Sequence, residues 1–449
     1  MRTREVSSVE VVEACLARIA EVNPSINAVV AFADDALDGA RDADERLGRG
    51  RVLGALHGVP FTIKDSIDTA GLVTTAGSTG WRDRVPERDA TVVARLRAAG
   101  GVLLGKTNTP EFTWSDETDN DVYGRTSNPY DLARTPGGSS GGAAAIVAAG
   151  GSPFDIGSDT GDSIRQPAHV CGIAGIKPTS GRVPQTGEWP SFAGIAGTLQ
   201  QLGPLARRVD DLALILPLIA GPDGVDPRVP PVATGLGSID DVQVGRLRVV
   251  AFTDNGIRTP TPETVAAVDA AIGAIEGVGA SVDRQVPPGL DDAWATWDGL
   301  IRSDGYAWLR RLIAGAGTPG WGSYETRGWI DPQPAVTGDE LSALLEHADD
   351  VRSRLLRWFE ASGADAILCP AMPQPAIRHG ESNEAWFGDT YSDVHNLTGW
   401  PAVVVRGGTS PEGLPIGVQV VARPWHEDVA LAAARVVEAA SGGWQPPPI

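Results

Sequence analysis

Apolar and polar positions along this chain follow two periodicities, and each predicts one kind of element. The N-terminal segment predicts an amphipathic helix that opens with the capping box Ser7–Glu10. Further on, helical patterns alternate with short apolar runs, as in the helix Asp89–Ala99 followed by the strand Gly101–Gly105, and the strand Leu247–Phe252 followed by the helix Thr261–Glu276. This alternation predicts an α/β fold with a large, mostly parallel or mixed sheet.

Two serines lie in Gly-rich turns on either side of an Ala-rich helix. The run Ala143–Ala149 predicts the helix, since alanine has the highest helix propensity. Ser139 precedes it in GGSSGG, and Ser163 follows it in GSDTGDS. Flanking glycines let the backbone bend sharply and bring N–H groups close to a ligand. A lone Gly/Ser turn is more often a simple loop, but the pair suggests a nucleophile and a proton relay.

A lysine supplies the base that such a relay needs. Lys64 follows the apolar run Val59–Ile63, as a lysine drawn into the interior would. Taken alone, a lysine after a strand is more often a surface residue whose amine reaches water. In combination with the two serine turns, we interpret Lys64 as catalytic. Its ordinary pKa of about 10.4 must fall by several units, through burial or neighbouring dipoles, before the amine can accept a proton.

Several ordered segments, covering nearly the whole chain, resemble the amidase signature family. They are GVPFTIKDSIDTAG (Gly58–Gly71), GKTNTPEF (Gly105–Phe112), NPYDLARTPGGSSGG (Asn128–Gly142), GSDTGDSIRQPA (Gly157–Ala168), GIKPTSGRVP (Gly175–Pro184) and the C-terminal run Asn396–Val421. The resemblance implies a Ser–cis-Ser–Lys triad. In this chain Ser163 is then the nucleophile, Ser139 the bridging serine after a cis peptide bond, and Lys64 the base.

The same resemblance implies the domain organisation. It predicts a single amidase domain over residues 1–449, with a twisted mixed sheet covered by helices on both faces. The signature core spans residues from about 55 to 205. A helical, Trp-rich region from about 291 to 345 lies where such enzymes build the substrate entrance.

These residues predict acyl transfer without a cofactor. Neutral Lys64 accepts a proton from Ser139, which accepts one from Ser163 as its Oγ attacks the carbonyl. The proton returns to the leaving amine, and water hydrolyses the acyl-enzyme by the reverse relay. The predicted oxyanion hole consists of the backbone N–H groups of Thr160, Gly161, Asp162 and Ser163. Such donors typically contribute about 10²–10³ in rate each.

One residue departs from the family pattern, which usually has two glycines before the nucleophile. This chain has Gly161 and then Asp162. Aspartate keeps the backbone donor and tolerates positive φ better than most residues. Its carboxylate would repel a developing oxyanion unless it points away or pairs with a cation, and Arg165 is the candidate partner. The departure affects the expected rate and substrate choice more than the reaction class.

Two further motifs match a catalytic pattern and fail on context. Gly100–Thr107 fits the phosphate-loop pattern, but a helical run precedes it and an apolar strand occupies the loop itself. Gly137–Gly141 fits the nucleophile elbow of Ser–His–Asp hydrolases, which requires a buried strand just before it. Here the preceding Asp131–Pro136 is polar and ends in proline. Neither ATP binding nor a Ser–His–Asp triad is therefore expected.

Composition predicts a soluble, cytoplasmic enzyme. The 449 residues are 42% apolar and 21% charged, and no apolar run approaches the roughly 18 residues of a membrane helix. The N-terminus lacks the apolar core of a signal peptide. A net charge of −20 argues against nucleic acid as a partner.

The cysteines and histidines predict neither disulfides nor a metal site. Cys15, Cys171 and Cys369 are an odd, widely spaced set, which indicates reduced thiols. Cys369 follows an apolar run and is interpreted as buried packing. The six histidines show no spacing typical of metal ligands, so no metal is expected.

Tryptophan gives the clearest indication of the substrate. The chain has 13 tryptophans against 5 tyrosines. Those of the predicted entrance region are Trp294, Trp297, Trp308, Trp321 and Trp329. A single buried tryptophan is more often core packing, but the group, with Trp189 and Phe192, favours an apolar or aromatic acyl or amine group. The first hypothesis is a broad-specificity amidase acting on aryl amides, as an aryl acylamidase does, and on esters or carbamates, as a urethanase does.

Two alternatives come from other classes. The first is the glutaminase subunit of a tRNA-dependent amidotransferase, which needs charged groups to hold a free amino acid and an ammonia channel to a partner. The second is an amide-binding pseudoenzyme, in which Asp162 has spoiled the oxyanion hole. A homodimer would suit the family, whereas the natural substrate and the quaternary state do not follow from the sequence.

Overall fold

The strands of this chain form a small sheet and a large one. The computed structural model describes residues 5–189, 194–231, 235–324, 328, 330, 333–385 and 391–449. The small sheet contains β1 (Val29–Phe32), β2 (Pro60–Lys64) and β3 (Val102–Thr107), in the order β1-β3-β2. Strand β2 runs parallel to β3, and β1 runs antiparallel to it.

The large sheet is mixed, as predicted, and confirms the α/β class. Its strands are β4 (Phe154–Asp159), β5 (Ala174–Lys177), β6 (Gln201–Ala206), β7 (Arg248–Ala251), β8 (Ser281–Arg284), β9 (Ala366–Pro370), β10 (Ala402–Thr409) and β11 (Pro415–Ala422). The order is β4-β6-β5-β10-β11-β9-β7-β8.

The expectation of mostly parallel strands is wrong. Five of the seven neighbouring pairs in the large sheet are antiparallel, and only β9-β7 and β7-β8 are parallel. Strand β11, for example, is buried along all eight residues although it pairs antiparallel on both sides. A strand covered on both faces is a continuous apolar run whichever way it runs, so its sequence looks like that of a parallel strand.

Helices surround these sheets. They are α1 (Ser8–Ile26), α2 (Ala36–Gly48), α3 (Thr91–Ala98), α4 (Gly141–Ala148), α5 (Arg165–Cys171), α6 (Gly194–Leu199), α7 (Val209–Ile219), α8 (Pro262–Gly277), α9 (Leu290–Arg302), α10 (Ala307–Ala316), α11 (Gly338–Ser362), α12 (Ser382–Ala385), α13 (Asp393–Leu397) and α14 (Glu427–Ser441). Within the described ranges, no helix is both long and apolar enough to cross a membrane.

The large sheet has helices on both faces, as predicted. On β10, Val403 and Val405 pack into a core that contains residues of α8 and α14. Val404, between them, packs with α4 and α5 instead. Because successive side chains of a strand point to opposite faces, one strand contributes to two cores. The helix α4, which the Ala-rich run predicted, thereby lies against the same sheet that carries β4.

The local elements predicted from the pattern lie within two residues of their expected bounds. The α1 capping box is confirmed, because the Ser7 hydroxyl accepts the Glu10 N–H at 3.1 Å and the Glu10 carboxylate accepts the Ser7 N–H at 2.7 Å. The predicted helix–strand and strand–helix pairs are α3–β3 and β7–α8. The last six residues of the phosphate-loop match form β3, a strand, as its apolar run predicts. The assignment of the whole chain to one domain stays a prediction.

Candidate active site

Lys64 and Ser139 are in direct contact, as the predicted relay requires. Lys64 ends β2, whose five residues are all buried, and its own side chain is fully buried. Its Nζ lies 2.7 Å from the Oγ of Ser139, 2.9 Å from that of Ser158 and 3.0 Å from that of Ser140. Sequence analysis missed Ser140 and Ser158, although both lie inside the motifs named above. Nothing in the spacing shows which hydroxyls meet the amine.

Burial changes the acidity of the amine. Desolvation lowers the pKa of Lys64 from its ordinary value of 10.5 to about 7, and the carboxyl groups of Glu188, Asp159 and Asp155 act in the opposite direction. Desolvation also raises the pKa of Glu188 to about 8. Near neutral pH, Lys64 is therefore populated both as an amine and as an ammonium, so it can take up and release a proton.

Close backbone approaches hold the turn that carries Ser139. The peptide bond between Gly138 and Ser139 is cis, as the resemblance implies. A Cβ on Gly138 would lie 2.5 Å from the carbonyl oxygen of Ser115, so this position requires glycine. The Gly138 N–H donates to the Oε1 of Gln166 at 2.8 Å. These contacts place Ser139 just before α4, with its hydroxyl on Lys64.

Ser163 lies beside this turn, in the loop between β4 and α5. The Ser140 N–H donates to the Ser163 carbonyl at 3.2 Å, which fixes the two serine turns against each other. The Ser163 side chain is partly exposed. Within the described part of the chain its hydroxyl makes no hydrogen bond, so the link from Ser163 to Ser139 is open. Catalytic hydrogen bonds are often loose before substrate binds.

The predicted oxyanion residues form the loop that leads to Ser163. Among the residues that the structure describes, the N–H groups of Gly161 and Ser163 donate to no protein acceptor. A Cβ on Gly161 would lie 2.8 Å from the Oδ1 of Asp393 and 3.0 Å from the Cζ2 of Trp297, so the loop is tightly packed. The Trp297 indole N–H donates to the Thr160 carbonyl at 3.0 Å. The arrangement leaves backbone donors available to a carbonyl oxygen next to Ser163.

The carboxylate that pairs with Arg165 belongs to Asp159, so the expected Asp162 pair is wrong. Arg165 Nη2 lies 2.8 Å from Asp159 Oδ1, and both side chains are fully buried. Asp159, the last residue of β4, also accepts the Ile164 N–H at 3.1 Å across the loop that leads to α5. The Asp162 charge also acts on Arg165 and raises the pKa of its guanidinium. The remaining guanidinium hydrogens go to the carbonyls of Gly161 and Ser392 and to Gln419 and Asn396.

Among the tryptophans predicted at the entrance, Trp297 contacts the oxyanion loop. Within the region from about 291 to 345, the described residues include α9, α10 and the start of α11. Phe192 and Trp329 lie outside the described residues, and Trp294 is partly exposed on α9. Contacts elsewhere include the hydrogen bond from the Trp189 indole N–H to Asp68 Oδ2 at 2.7 Å, the ring centroids of Trp308 and Trp114 at 5.3 Å, and the Arg310 guanidinium 5.4 Å from the Trp321 ring.

The three cysteines are not members of the predicted triad. All three are free and buried. Cys369 lies in β9 within the core, which confirms its interpretation as packing, and desolvation raises the pKa of its thiol to about 12. In the described ranges, no group of three His, Cys, Asp or Glu side chains could hold a metal ion.

Comparison with known proteins shows the family. A family model described as Amidase matches residues 10–431. The chain is 36% identical to a glutamyl-tRNA(Gln) amidotransferase subunit of Synechococcus sp. (strain CC9605), over 98% of this chain and 94% of that protein. It is 38% identical to the subunit of the same name from Chloroflexus aurantiacus (strain J-10-fl), over 95% of this chain and 92% of that protein.

Solved structures show the same likeness. The native peptide amidase of Stenotrophomonas maltophilia superposes with a TM-score of 0.84 and 28% identity, covering 100% of this chain and 96% of that one. The order of the motifs, the family match and this superposition agree over nearly the whole chain. The chain therefore belongs to the amidase signature family and is an amide hydrolase of that family.

Proposed function

We propose that this chain hydrolyses a carboxamide through an acyl-enzyme on Ser163. The 2.7 Å contact between Lys64 Nζ and Ser139 Oγ carries the proposal, because it places a base of lowered pKa on the hydroxyl next to the partly exposed serine. As the Oγ of Ser163 bonds to the carbonyl carbon, its proton passes to Ser139 and the Ser139 proton passes to neutral Lys64. The proton returns to the leaving nitrogen as the C–N bond breaks. Water then hydrolyses the ester by the same relay.

The backbone N–H groups of Thr160, Gly161, Asp162 and Ser163 bind the oxyanion in this proposal. Two observations support it: the donors of Gly161 and Ser163 have no protein acceptor within the described chain, and Trp297 orients the loop through the Thr160 carbonyl. The Asp159–Arg165 pair supports the far end of the loop. Fixed donors of this kind are typically worth about 10²–10³ in rate each.

For the substrate, the relatives support the glutaminase hypothesis better than the aryl amidase hypothesis. Both relatives named above are glutamyl-tRNA(Gln) amidotransferase subunits and match over nearly their whole length. We therefore propose glutamine as the first substrate, with the chain acting as one subunit of an amidotransferase. The net charge of −20 disfavours direct contact between this chain and RNA. In such a complex, a partner protein would bind the tRNA.

One observation supports a second candidate, a free-standing amidase for apolar or aryl amides. The Trp297 ring borders Gly161, so an apolar wall adjoins the proposed oxyanion hole. An aryl acyl or amine group could pack against this ring, and an ester or a carbamate would meet the same nucleophile and donors. The pseudoenzyme hypothesis rests on Asp162 alone and predicts binding without hydrolysis.

The test measures ammonia release from glutamine and amine release from an anilide by the purified chain. Faster release from glutamine supports the first candidate, and faster release from the anilide supports the second. Ser163→Ala should abolish both, and residual activity above a tenth of wild type would rule out Ser163 as the nucleophile. Ser25→Ala, on the exposed side of α1, is the matched control. Absence of hydrolysis together with no fluorophosphonate labelling of Ser163 would indicate a pseudoenzyme.

A further inference from the structure

Trp297 reaches the loop before Ser163 from the helix α9, which belongs to the predicted entrance region. Ala293 and Leu300 lie on the buried face of α9. Trp297 lies on the same face, because it follows Ala293 by one turn and precedes Leu300 by another. Helix α9 also packs against α13. The amphipathic pattern of α9 therefore brings one large aromatic side chain to the loop.

The indole makes two contacts with this loop. Its N–H donates to the Thr160 carbonyl at 3.0 Å, and within the described chain no other group donates to that oxygen. A Cβ on Gly161 would lie 3.0 Å from the Cζ2 of the same ring. The ring thus fills the space beside Gly161 that a side chain at this position would need.

The hydrogen bond to the Thr160 carbonyl sets the direction of the Gly161 N–H. The two groups belong to one planar trans peptide, in which the carbonyl and the N–H point in opposite directions. The Gly161 N–H therefore points away from the indole nitrogen. It donates to no protein acceptor among the described residues, so this donor is available to an oxygen of the substrate.

Other hydrogen bonds hold the groups on either side of this peptide but not the peptide itself. The Thr160 hydroxyl donates to the Oε1 of Gln200 at 3.2 Å, and the Gly161 carbonyl accepts from the Nη2 of Arg165 at 2.6 Å. Because glycine adopts a wide range of φ, the peptide between these two anchors can rotate unless its own carbonyl is held. In the part of the chain that the structure describes, Trp297 is the group that holds it.

We propose that Trp297 is a positioning residue for the oxyanion hole: by holding the Thr160 carbonyl, it directs the Gly161 N–H toward the oxygen of the substrate carbonyl. This inference rests on the proposed acyl-transfer function and deepens it. Negative charge develops on that oxygen in the transition state, so the indole N–H contributes to the rate rather than to substrate binding. Trp297 thereby also links the entrance helix α9 to the catalytic loop.

The test is Trp297→Phe, read as kinact and KI for two fluorophosphonate probes, one with a small alkyl group and one with a phenyl group. The phosphoryl oxygen of the probe takes the place of the carbonyl oxygen in the hole. We expect kinact to fall about tenfold for both probes, with KI changed by less than about twofold. The fall is smaller than the roughly 10²–10³ that a whole donor is worth, because the N–H remains and only its direction is released.

An unchanged kinact would overturn the inference. A KI that then rises only for the phenyl probe would identify the ring as an apolar wall and nothing more. The pH profile gives a second readout, since Trp297→Phe changes no charge and should keep the midpoint of the acid limb. A midpoint displaced by a pH unit or more would mean that the variant acts through Lys64, and would also overturn the inference.

Trp444→Phe is the matched control, because Trp444 is also half-buried and its indole N–H also donates to a backbone carbonyl, that of Ala148, at 3.0 Å. Ala148 ends α4, at the opposite end from Ser139. We expect a loss of Tm similar to that of Trp297→Phe, with kinact within about twofold of wild type. An equal fall in kinact would mean that any lost indole hydrogen bond slows the enzyme, and would contradict the proposed role.

A second variant keeps the proposal testable if Trp297→Phe does not fold. Benzothienylalanine at position 297 keeps both rings of the side chain and replaces the N–H by sulfur, which cannot donate. It should lower kinact as Trp297→Phe does, and wild-type kinact in this variant would overturn the inference. Labelling of Ser163→Ala, or no labelling of wild type at any pH, would instead refute the proposed function.

Discussion

The acid limb of the pH–rate profile should report the deprotonation of Lys64, with a midpoint of about 7. Desolvation lowers the pKa of this amine from 10.5 to about 7. Only the neutral form accepts the Ser139 proton, so activity is present above this pKa and is lost as the pH falls through it. The profile thus tests both the burial of Lys64 and its role as the base.

The structure sets the size of the effect. An amine with a pKa of about 10.4 would be neutral in only about 1 molecule in 2,500 at pH 7. With a pKa of about 7, half of the molecules carry the neutral amine at that pH. Burial thus raises the fraction of molecules with a neutral Lys64 amine about 10³-fold at neutral pH. Below the midpoint, kcat/KM should fall about tenfold per pH unit, to about a tenth of its plateau at pH 6.

The assay is kcat/KM from pH 5 to 9 with a neutral amide or ester, together with two histidine variants. The variants are needed because a midpoint near 7 lies close to the ordinary histidine value of about 6.5. His169 and His395 are buried, and desolvation lowers the pKa of His169 to about 4 and that of His395 well below its ordinary range. Neither should titrate in the window of Lys64. His169→Asn and His395→Asn should therefore keep the midpoint.

Lys64→Arg completes the series, because a guanidinium stays charged at every pH of the assay. This variant should be inactive at every pH of the assay, and its activity should not return at pH 9. An acid limb that disappears in either histidine variant would refute the lysine mechanism. A wild-type midpoint above pH 9 would refute the argument that burial makes Lys64 a base at neutral pH.

Three further changes test the turns around the nucleophile. Ser139→Ala should lower kcat by about 10²–10⁴ at an unchanged Tm, since a water can replace only part of the relay. Asp159→Asn should cost about 3–5 kcal/mol in urea unfolding because it leaves the Arg165 charge buried without its partner; Asp162→Asn should cost less, and equal losses would contradict the pairing described above. Gly161→Ala should lower kcat/KM by roughly 10²-fold, because its methyl would lie 2.8 Å from a carboxylate oxygen; an unchanged rate would show that the loop is not tightly packed.

The sequence identifies residues that belong to local motifs, and Lys64 and Ser139 lie in two such motifs. That the two side chains meet is what the resemblance to the family implied. Each residue lies next to a glycine turn or an apolar run that can be recognised without the fold. The bounds of α4 and β3 were predictable for the same reason, since they depend on propensity and on short apolar runs. The direction of the strands could not be predicted, because burial on both faces gives parallel and antiparallel strands the same continuous apolar sequence.

Residues that act across the fold could not be predicted in this way. Ser158 and Glu188 lie 94 and 124 positions after Lys64, and only the arrangement of β2, β4 and the loop after β5 brings them to the amine. The role of Asp159 was hidden for a different reason. Asp162 departs from the family pattern and is closer to Arg165 along the chain, whereas Asp159 forms the ion pair with Arg165 at the end of β4.

Burial alone does not make a lysine of this chain a base, as two further buried lysines demonstrate. Desolvation lowers the pKa of Lys106 to about 8 and that of Lys177 to about 7. Lys177 donates to the Pro178 carbonyl at 3.0 Å, and a carbonyl has no proton to give. Lys106 donates to a carbonyl and to Thr69, whose own proton goes to a backbone carbonyl at 3.2 Å. Lys64 differs because one of its hydroxyl partners can return a proton, so the arrangement of hydroxyls around the amine decides which lysine acts.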